Sequence, residues 1–167
     1  MSERLRLPAL DSDAVAELRG SGYPEPFKSR MGDRAKQKLG AALGLRQFGV
    51  NRVRLGPGGQ SALRHWHSRE EEFVYLLEGE LVLRTDAGEQ TLRAGDCAGY
   101  PAGSGDGHQL VNRGTTVAVY LEVGTRNPQD ECFYPDDDLL LDYRQQVGRD
   151  GDTQQETVAL HKDGRPY

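Results

Sequence analysis

The sequence predicts an all-β protein, and three observations carry that prediction. Short apolar segments recur between residues 48 and 123, each closed by a turn signal: Gly56-Pro57-Gly58-Gly59, Gly79, Asp86-Ala87-Gly88, Gly95-Asp96, Pro101 and Asn112-Arg113-Gly114. Strands this short and this regularly spaced belong to barrels and sandwiches. The composition agrees, because 21 of 167 residues are glycine and only 36% are hydrophobic, which suits short strands and many turns better than a helix bundle. Finally, residues 72–78 alternate Glu72, Val74 and Leu76 against Phe73, Tyr75 and Leu77. Both faces are then largely apolar, as in a strand covered on both sides.

A chain of this length forms one domain around one core. It divides into an N-terminal arm (1–45), a barrel (46–124) and a C-terminal extension (125–167). In the arm, Asp11-Ser12-Asp13 ahead of Ala14–Arg19, with Gly20 behind, predicts a short capped helix with a glycine stop. Tyr23-Pro24-Glu25-Pro26-Phe27 is predicted extended, since each proline disfavours helix in the residue before it. Tyr23 and Phe27 then anchor the arm on the barrel or on a partner subunit. Residues 33–39 have room for a helical turn or two, closed by Gly40 or Gly44.

The barrel strands follow at 48–55, 63–67 and 72–78. Next come a hairpin (81–84 with 90–92, Gly88 left-handed in its turn), then 96–100, 108–112 and 116–123. Past Gly124 the pattern dissolves. Residues 131–134 and 139–143 keep some apolar content, 145–155 is polar, and 158–161 has the pattern of a last strand.

Charge and targeting signals exclude several classes. A formal net charge of −5 argues against a nucleic-acid partner. No run approaches the length of a membrane span and the N-terminus lacks a signal-like apolar stretch, so a cytoplasmic protein without a membrane partner is expected. Cys97 and Cys132 form no CxxC and fit no zinc-site spacing, as expected of reduced thiols. The basic stretch Lys28, Arg30, Arg34, Lys36 and Lys38, and the acidic Asp136, Asp137 and Asp138, read as solvated surface.

The chemistry concentrates in residues 59–79. Side chains two apart on a strand share a face, so His65 and His67 aim into one space while Trp66 points away. A carboxylate on the next strand can join them. Glu72 shares its face with Val74 and Leu76 and so enters an apolar interior, where an unpaired carboxylate is costly and a metal makes it tolerable. Glu70 and Glu71 lie nearer the turn and read as solvated, with Glu71 the alternative ligand should the register shift by one. A third imidazole, His108, follows Gly103, Gly105 and Gly107, which let backbone pass close to a site. His161 stands apart and reads as a surface residue. Imidazoles with a carboxylate suit Fe, Mn, Co, Ni or Zn, and suit Mg or Ca poorly.

These residues also carry a family resemblance. Gly59, five residues, His65, one, His67, four, Glu72, six, Gly79 resembles the first motif of the cupin superfamily without departure in spacing. Gly95, five residues, Pro101, then Gly105, two, His108, three, Asn112 resembles the second motif, with two extra residues between the proline and the glycine. The resemblance spans residues 46–124. It implies a jelly-roll (double-stranded β-helix) barrel, one divalent metal held by His65, His67, Glu72 and His108, and a homodimer. The wording of HWHSREEEFVYLLEGE and YLEVGTR is similar to small bacterial cupins, some of them labelled sugar-phosphate isomerases, a label that itself rests on fold.

Three neutral imidazoles and one carboxylate leave a divalent ion positively charged, with open positions. A redox-inert ion would act as a Lewis acid in isomerase, epimerase or lyase chemistry on a small oxygenated (sugar- or hydroxy-acid-like) substrate. Iron, manganese, nickel or copper would also suit a dioxygenase. A non-catalytic metal- or ligand-binding module is the alternative. Tyr75, Tyr100, Tyr120 and Glu122 are the candidate proton-transfer groups, and Arg52, Arg54 and Arg64 the candidate anion binders.

Overall fold

The computed structural model of the chain describes residues 5–147 and 153–167; residues 1–4 of the arm and 148–152, inside the polar stretch 145–155, lie outside the described residues. In chain order the strands are β1 (Leu18–Arg19), β2 (Arg34–Gln37), β3 (Phe48–Leu55), β4 (Trp66–His67), β5 (Glu72–Glu78), β6 (Glu80–Thr85), β7 (Gly88–Arg93) and β8 (Cys97–Tyr100). After them come β9 (Gln109–Val111), β10 (Ala118–Thr125), β11 (Cys132–Phe133), β12 (Leu140–Val147) and β13 (Thr153–Leu160). Two single-turn helices, α1 (Phe27–Arg30) and α2 (Leu39–Ala42), complete the arm.

One wall of the barrel is a six-stranded sheet ordered β1-β2-β3-β10-β5-β8. The other is built from β13-β12-β11-β4 and β7-β6-β9. Antiparallel bridges Gln60–Val111 and His65–His108 join these two smaller sheets. Inward-facing Val53, Leu55, Val74, Leu76, Leu81, Leu83, Leu110, Ala118 and Tyr120 fill the space between the walls. A second cluster, Phe27, Met31, Leu63, Cys132, Tyr134 and Leu139, binds the arm and the C-terminal strands to each other beside it.

The central strands and the hairpin follow the sequence reading. Asp86-Ala87 connects β6 to β7, and Gly88 takes φ 116°, a region an L side chain rarely adopts. Five readings need correction. The predicted helix at 11–19 is a single 3-10 turn, Ser12–Ala14, capped by Asp11. Its continuation is lost because Leu18 and Arg19 pair with Lys36 and Ala35, and sheet pairing overrides a weak helix signal. Phe27 is helical rather than extended, since a proline restrains the residue before it and not the one after. It does anchor the arm, at 5% exposure. Residues 34–37 form β2 against β3 instead of a helical turn, which comes later at Leu39–Ala42. Past Gly124, β12 and β13 pair along their whole length from Leu140–Leu160 to Val147–Thr153, and β11 carries that hairpin onto β4.

The fifth correction concerns β5. Val74 and Leu76 are buried, whereas Phe73, Tyr75 and Leu77 are 38–42% exposed, so only the inner face of this strand is covered within the chain. No helix among the described residues is long and apolar enough to cross a membrane.

Candidate metal centre

His65 and His67 flank Trp66, whose ring stacks on Phe133 at 4.3 Å on the far side of the wall. That contact fixes the alternation and turns both imidazoles inward. His108 arrives opposite His65, with His65 N–H donating to the His108 carbonyl (3.1 Å) and the reverse bond at 2.8 Å. The longer loop ahead of it is accommodated by Gly103 and Gly105 at positive φ. Gly107 is needed for a different reason, because a Cβ there would sit 3.0 Å from Pro135 and 3.1 Å from Arg64.

Glu72, the first residue of β5, brings one carboxylate oxygen among the three rings. Its Oε2 lies 2.9 Å from His108 Nε2, 3.6 Å from His65 Nε2 and 3.7 Å from His67 Nε2. Two of the rings are held in a defined tautomer. His65 Nδ1 is 2.8 Å from the Leu63 carbonyl, and His67 Nδ1 is 2.6 Å from Asp130 Oδ2. Both partners only accept, so Nδ1 carries the proton and each Nε2 turns a lone pair toward Glu72. Lone pairs facing a carboxylate form an arrangement that a cation resolves. Borderline first-row metals match this nitrogen-rich donor set, and on that chemistry the residues fit a divalent transition metal.

The electrostatics point the same way. Burial disfavours the charge on Glu72, yet hydrogen bonds from His108 and, when its ring is protonated, from His65, with the field of the protonated histidines, hold its carboxyl well below the usual range. Burial opposes protonation of His65, and Glu72 outweighs it, raising that pKa. In His108 burial prevails and lowers it. Tyr100 lies flat on the His108 ring at 3.5 Å.

Asp130, on the loop between β10 and β11, escaped sequence reasoning, since nothing near it in the chain marks it out. It accepts from His67 and also from the Arg69 and Glu70 amides at 2.8 and 2.9 Å. We predict that Asp130→Asn lowers metal affinity about 10- to 100-fold, as outer-shell substitutions do. Competition with a chromogenic chelator measures this, with an unchanged melting curve marking an intact fold.

Cys132 was also missed. Its sulfur and nitrogens of His65 and His67 lie within 4.8 Å of one another, although burial pushes the thiol up to about 12 and so keeps it protonated. Glu70 is not solvated, as its side chain is 15% exposed and accepts the Asn127 amide, whereas Glu71 is exposed. His161 pairs with Asp138 at 2.8 Å and stacks on Tyr167, away from the cavity wall.

The centre opens into a cavity of about 410 Å³. Tyr120 and Glu122 from β10, Tyr100 from β8, Tyr134 after β11 and Tyr23 from the arm line it. Tyr75 does not, because it occupies the outer face of β5 and is 39% exposed, which removes it from the candidate proton-transfer groups. Arg52, Arg54 and Arg64 are engaged elsewhere: Arg52 with Gln37 and Asp13, Arg54 with Glu17, and Arg64 with Asp136 and Asp86. The cations that do line the cavity are Arg34 and Lys36, from the stretch that reads in the sequence as solvated surface.

A small β-barrel with inward-facing histidines and a carboxylate gathered at one wall defines a metal-binding type of barrel. The cupin domain model (Cupin_2) matches residues 51–124. The crystal structure of a sugar phosphate isomerase of the cupin superfamily from Silicibacter pomeroyi is 43% identical, with 96% of each chain covered and a TM-score of 0.83. A structure from Acidithiobacillus ferrooxidans, bearing a provisional sugar phosphate isomerase name, is 33% identical over 75% of this chain and 76% of its own, with a TM-score of 0.63. Tetracenomycin polyketide synthase protein TcmJ of Streptomyces glaucescens is 28% identical over 88 residues, 52% of this chain. The chain spans 57% of the length of that curated relative. The chain belongs to the cupin superfamily.

Proposed function

We propose that the chain is a metal-dependent enzyme that moves a proton on a small oxygenated molecule, in isomerase, epimerase or lyase chemistry. One observation carries the reading: three imidazole nitrogens meet one carboxylate oxygen within 3.7 Å, at the wall of a cavity that also holds proton-transfer groups. His65, His67, Glu72 and His108 would hold a single divalent ion (Fe, Mn, Ni, Co or Zn). When bound, that ion supplies Lewis-acid polarisation of a carbonyl or hydroxyl.

The chain's own residues supply the rest. Glu122 Oε1 accepts from Lys36 Nζ at 2.7 Å and Asn51 Nδ2 at 2.8 Å, which fixes the carboxylate, while Oε2 has no partner among the described residues. Oε2 is therefore the atom positioned to take a proton from substrate carbon. The hydroxyls of Tyr100 and Tyr120 are buried without hydrogen-bond partners among the described residues, and burial raises both pKa values, so each keeps a proton to donate to a substrate oxygen. The sugar phosphate isomerase name of the Silicibacter relative supports proton transfer over oxygen chemistry.

Incubating metal-loaded protein with aldose phosphates and 2-hydroxy acids in D2O tests the proposal. Deuterium is expected at a substrate carbon with wild type and at least about 100-fold more slowly with Glu122→Gln. Substrate-dependent O2 uptake without exchange would assign dioxygenase chemistry instead, and neither activity would leave a binding module. The reading includes a homodimer, supported by the exposed row Phe73, Tyr75 and Leu77. Light scattering checks it, a monomeric wild type speaking against it.

A further inference from the structure

The arm contributes chemistry as well as packing. β2 pairs with β3 in a register that sets Arg34 opposite Leu55 and Lys36 opposite Val53. Leu55 and Val53 are fully buried inside the barrel, and strand alternation therefore turns Arg34 and Lys36 toward the interior. Ala35 and Gln37, opposite Arg54 and Arg52, take the outer face. Two cations thus stand on one strand of the same cavity that holds the histidine–carboxylate cluster.

The two differ in their bonding, and only Arg34 lacks a carboxylate partner among the described residues. Lys36 is shared with Glu122. Arg34 Nη1 donates to the Gly20 carbonyl at 3.0 Å, its Nε is buried without a partner among the described residues, and no described carboxylate lies within ion-pairing distance of it. Its positive field reaches the Tyr23 and Tyr120 phenols, which line the cavity with it. A guanidinium Nε that has lost water without gaining an acceptor is held at a cost, and a planar fork of donors matches a carboxylate or phosphate. The neutral partner Gly20 leaves that charge uncompensated.

We propose that Arg34 and Lys36 form an anion subsite, so that the substrate is a small oxygenated acid anion, a phosphate monoester or a carboxylate, rather than a neutral sugar. Arg34 grips the anionic group in a forked contact, and Lys36 turns part of its charge from Glu122 to the same group. The substrate's other end then faces the histidines and Glu72. This assignment rests on the proposed function for the reacting end of the molecule, and on β2 alone for the anionic end.

Calorimetric titration of the full chain, metal-loaded, with inorganic phosphate and separately with acetate tests it. At least one probe is expected to bind, tenfold or more weakly in Lys36→Met and in Arg34→Gln, with metal content unchanged by elemental analysis. Binding of phosphate alone identifies a phosphate monoester, and of acetate alone a carboxylate. Should Arg34→Gln fail to fold, Lys36→Met and Arg34→Lys decide, the latter keeping charge but losing the fork. The subsite is overturned if neither anion binds, or if the anion binds equally to wild type and both charge-removing variants. It is also overturned if binding vanishes in His67→Ala while ignoring Lys36→Met, since the anion then sits on the metal. Anion binding that survives in metal-free protein and falls in Lys36→Met upholds the subsite even where the metal assignment fails.

Discussion

His67→Ala is expected to lose metal affinity by at least about 100-fold, more than an outer-shell change gives. The protein purified without added metal should then carry little of it by elemental analysis. His67 serves the centre twice, with Nε2 3.7 Å from Glu72 and Nδ1 tied to Asp130 at 2.6 Å. Removing the ring deletes a donor and leaves Asp130 with the Arg69 and Glu70 amides and the Ser68 hydroxyl alone. His65→Ala should behave alike, because its Nε2 sits at 3.6 Å from the same oxygen. His161→Ala is the control: its ring bonds Asp138 and stacks on Tyr167, so metal content should equal wild type. Equal retention in all three variants would overturn the assignment of the centre.

The quartet was legible because each member obeys a local rule. Two residues apart on an extended segment gives a shared face, and the apolar companions Val74 and Leu76 mark the Glu72 face as internal. The same alternation already excludes Tyr75, which lies one residue off that face; the signal was present. Arg34 and Lys36 were not legible, because both faces of β2 are covered: Ala35 and Gln37 are buried, with Gln37 bonded to the Ser12 and Val15 carbonyls of the arm, while the charged positions line the cavity. Only the pairing with β3 reveals which face is which. Asp130 and Cys132 are brought to the centre by β11 pairing with β4, a contact between distant segments that no periodicity announces. β12 and all of β13 but its end, where a last strand is expected at 158–161, escaped for a related reason, since a backbone ladder between polar segments needs no apolar stripe.

That last oversight leads to the second large effect. A chain ended at Gly124 is expected not to fold, although it keeps every residue of the putting-together of motifs that marks the family. Cys132, Tyr134 and Leu139 are 2%, 3% and 1% exposed and pack on Phe27, Met31 and Leu63. Burial of three such side chains is worth about 6 kcal/mol, comparable with the whole net stability of a domain, about 5–15 kcal/mol. Truncation also strips β4 of its ladder, in which His67 pairs with Cys132 and Trp66 with Phe133, and takes Asp130 with it. Any soluble fraction of 1–124 should therefore show no cooperative melt and hold no metal. Leu139→Ala separates packing from site: it should cost about 3 kcal/mol of stability while leaving metal content at the wild-type level. If instead 1–124 melts cooperatively near the full-length temperature and retains its ion, residues 125–167 are the detachable extension that their composition suggests, and the centre is complete without the loop that carries Asp130.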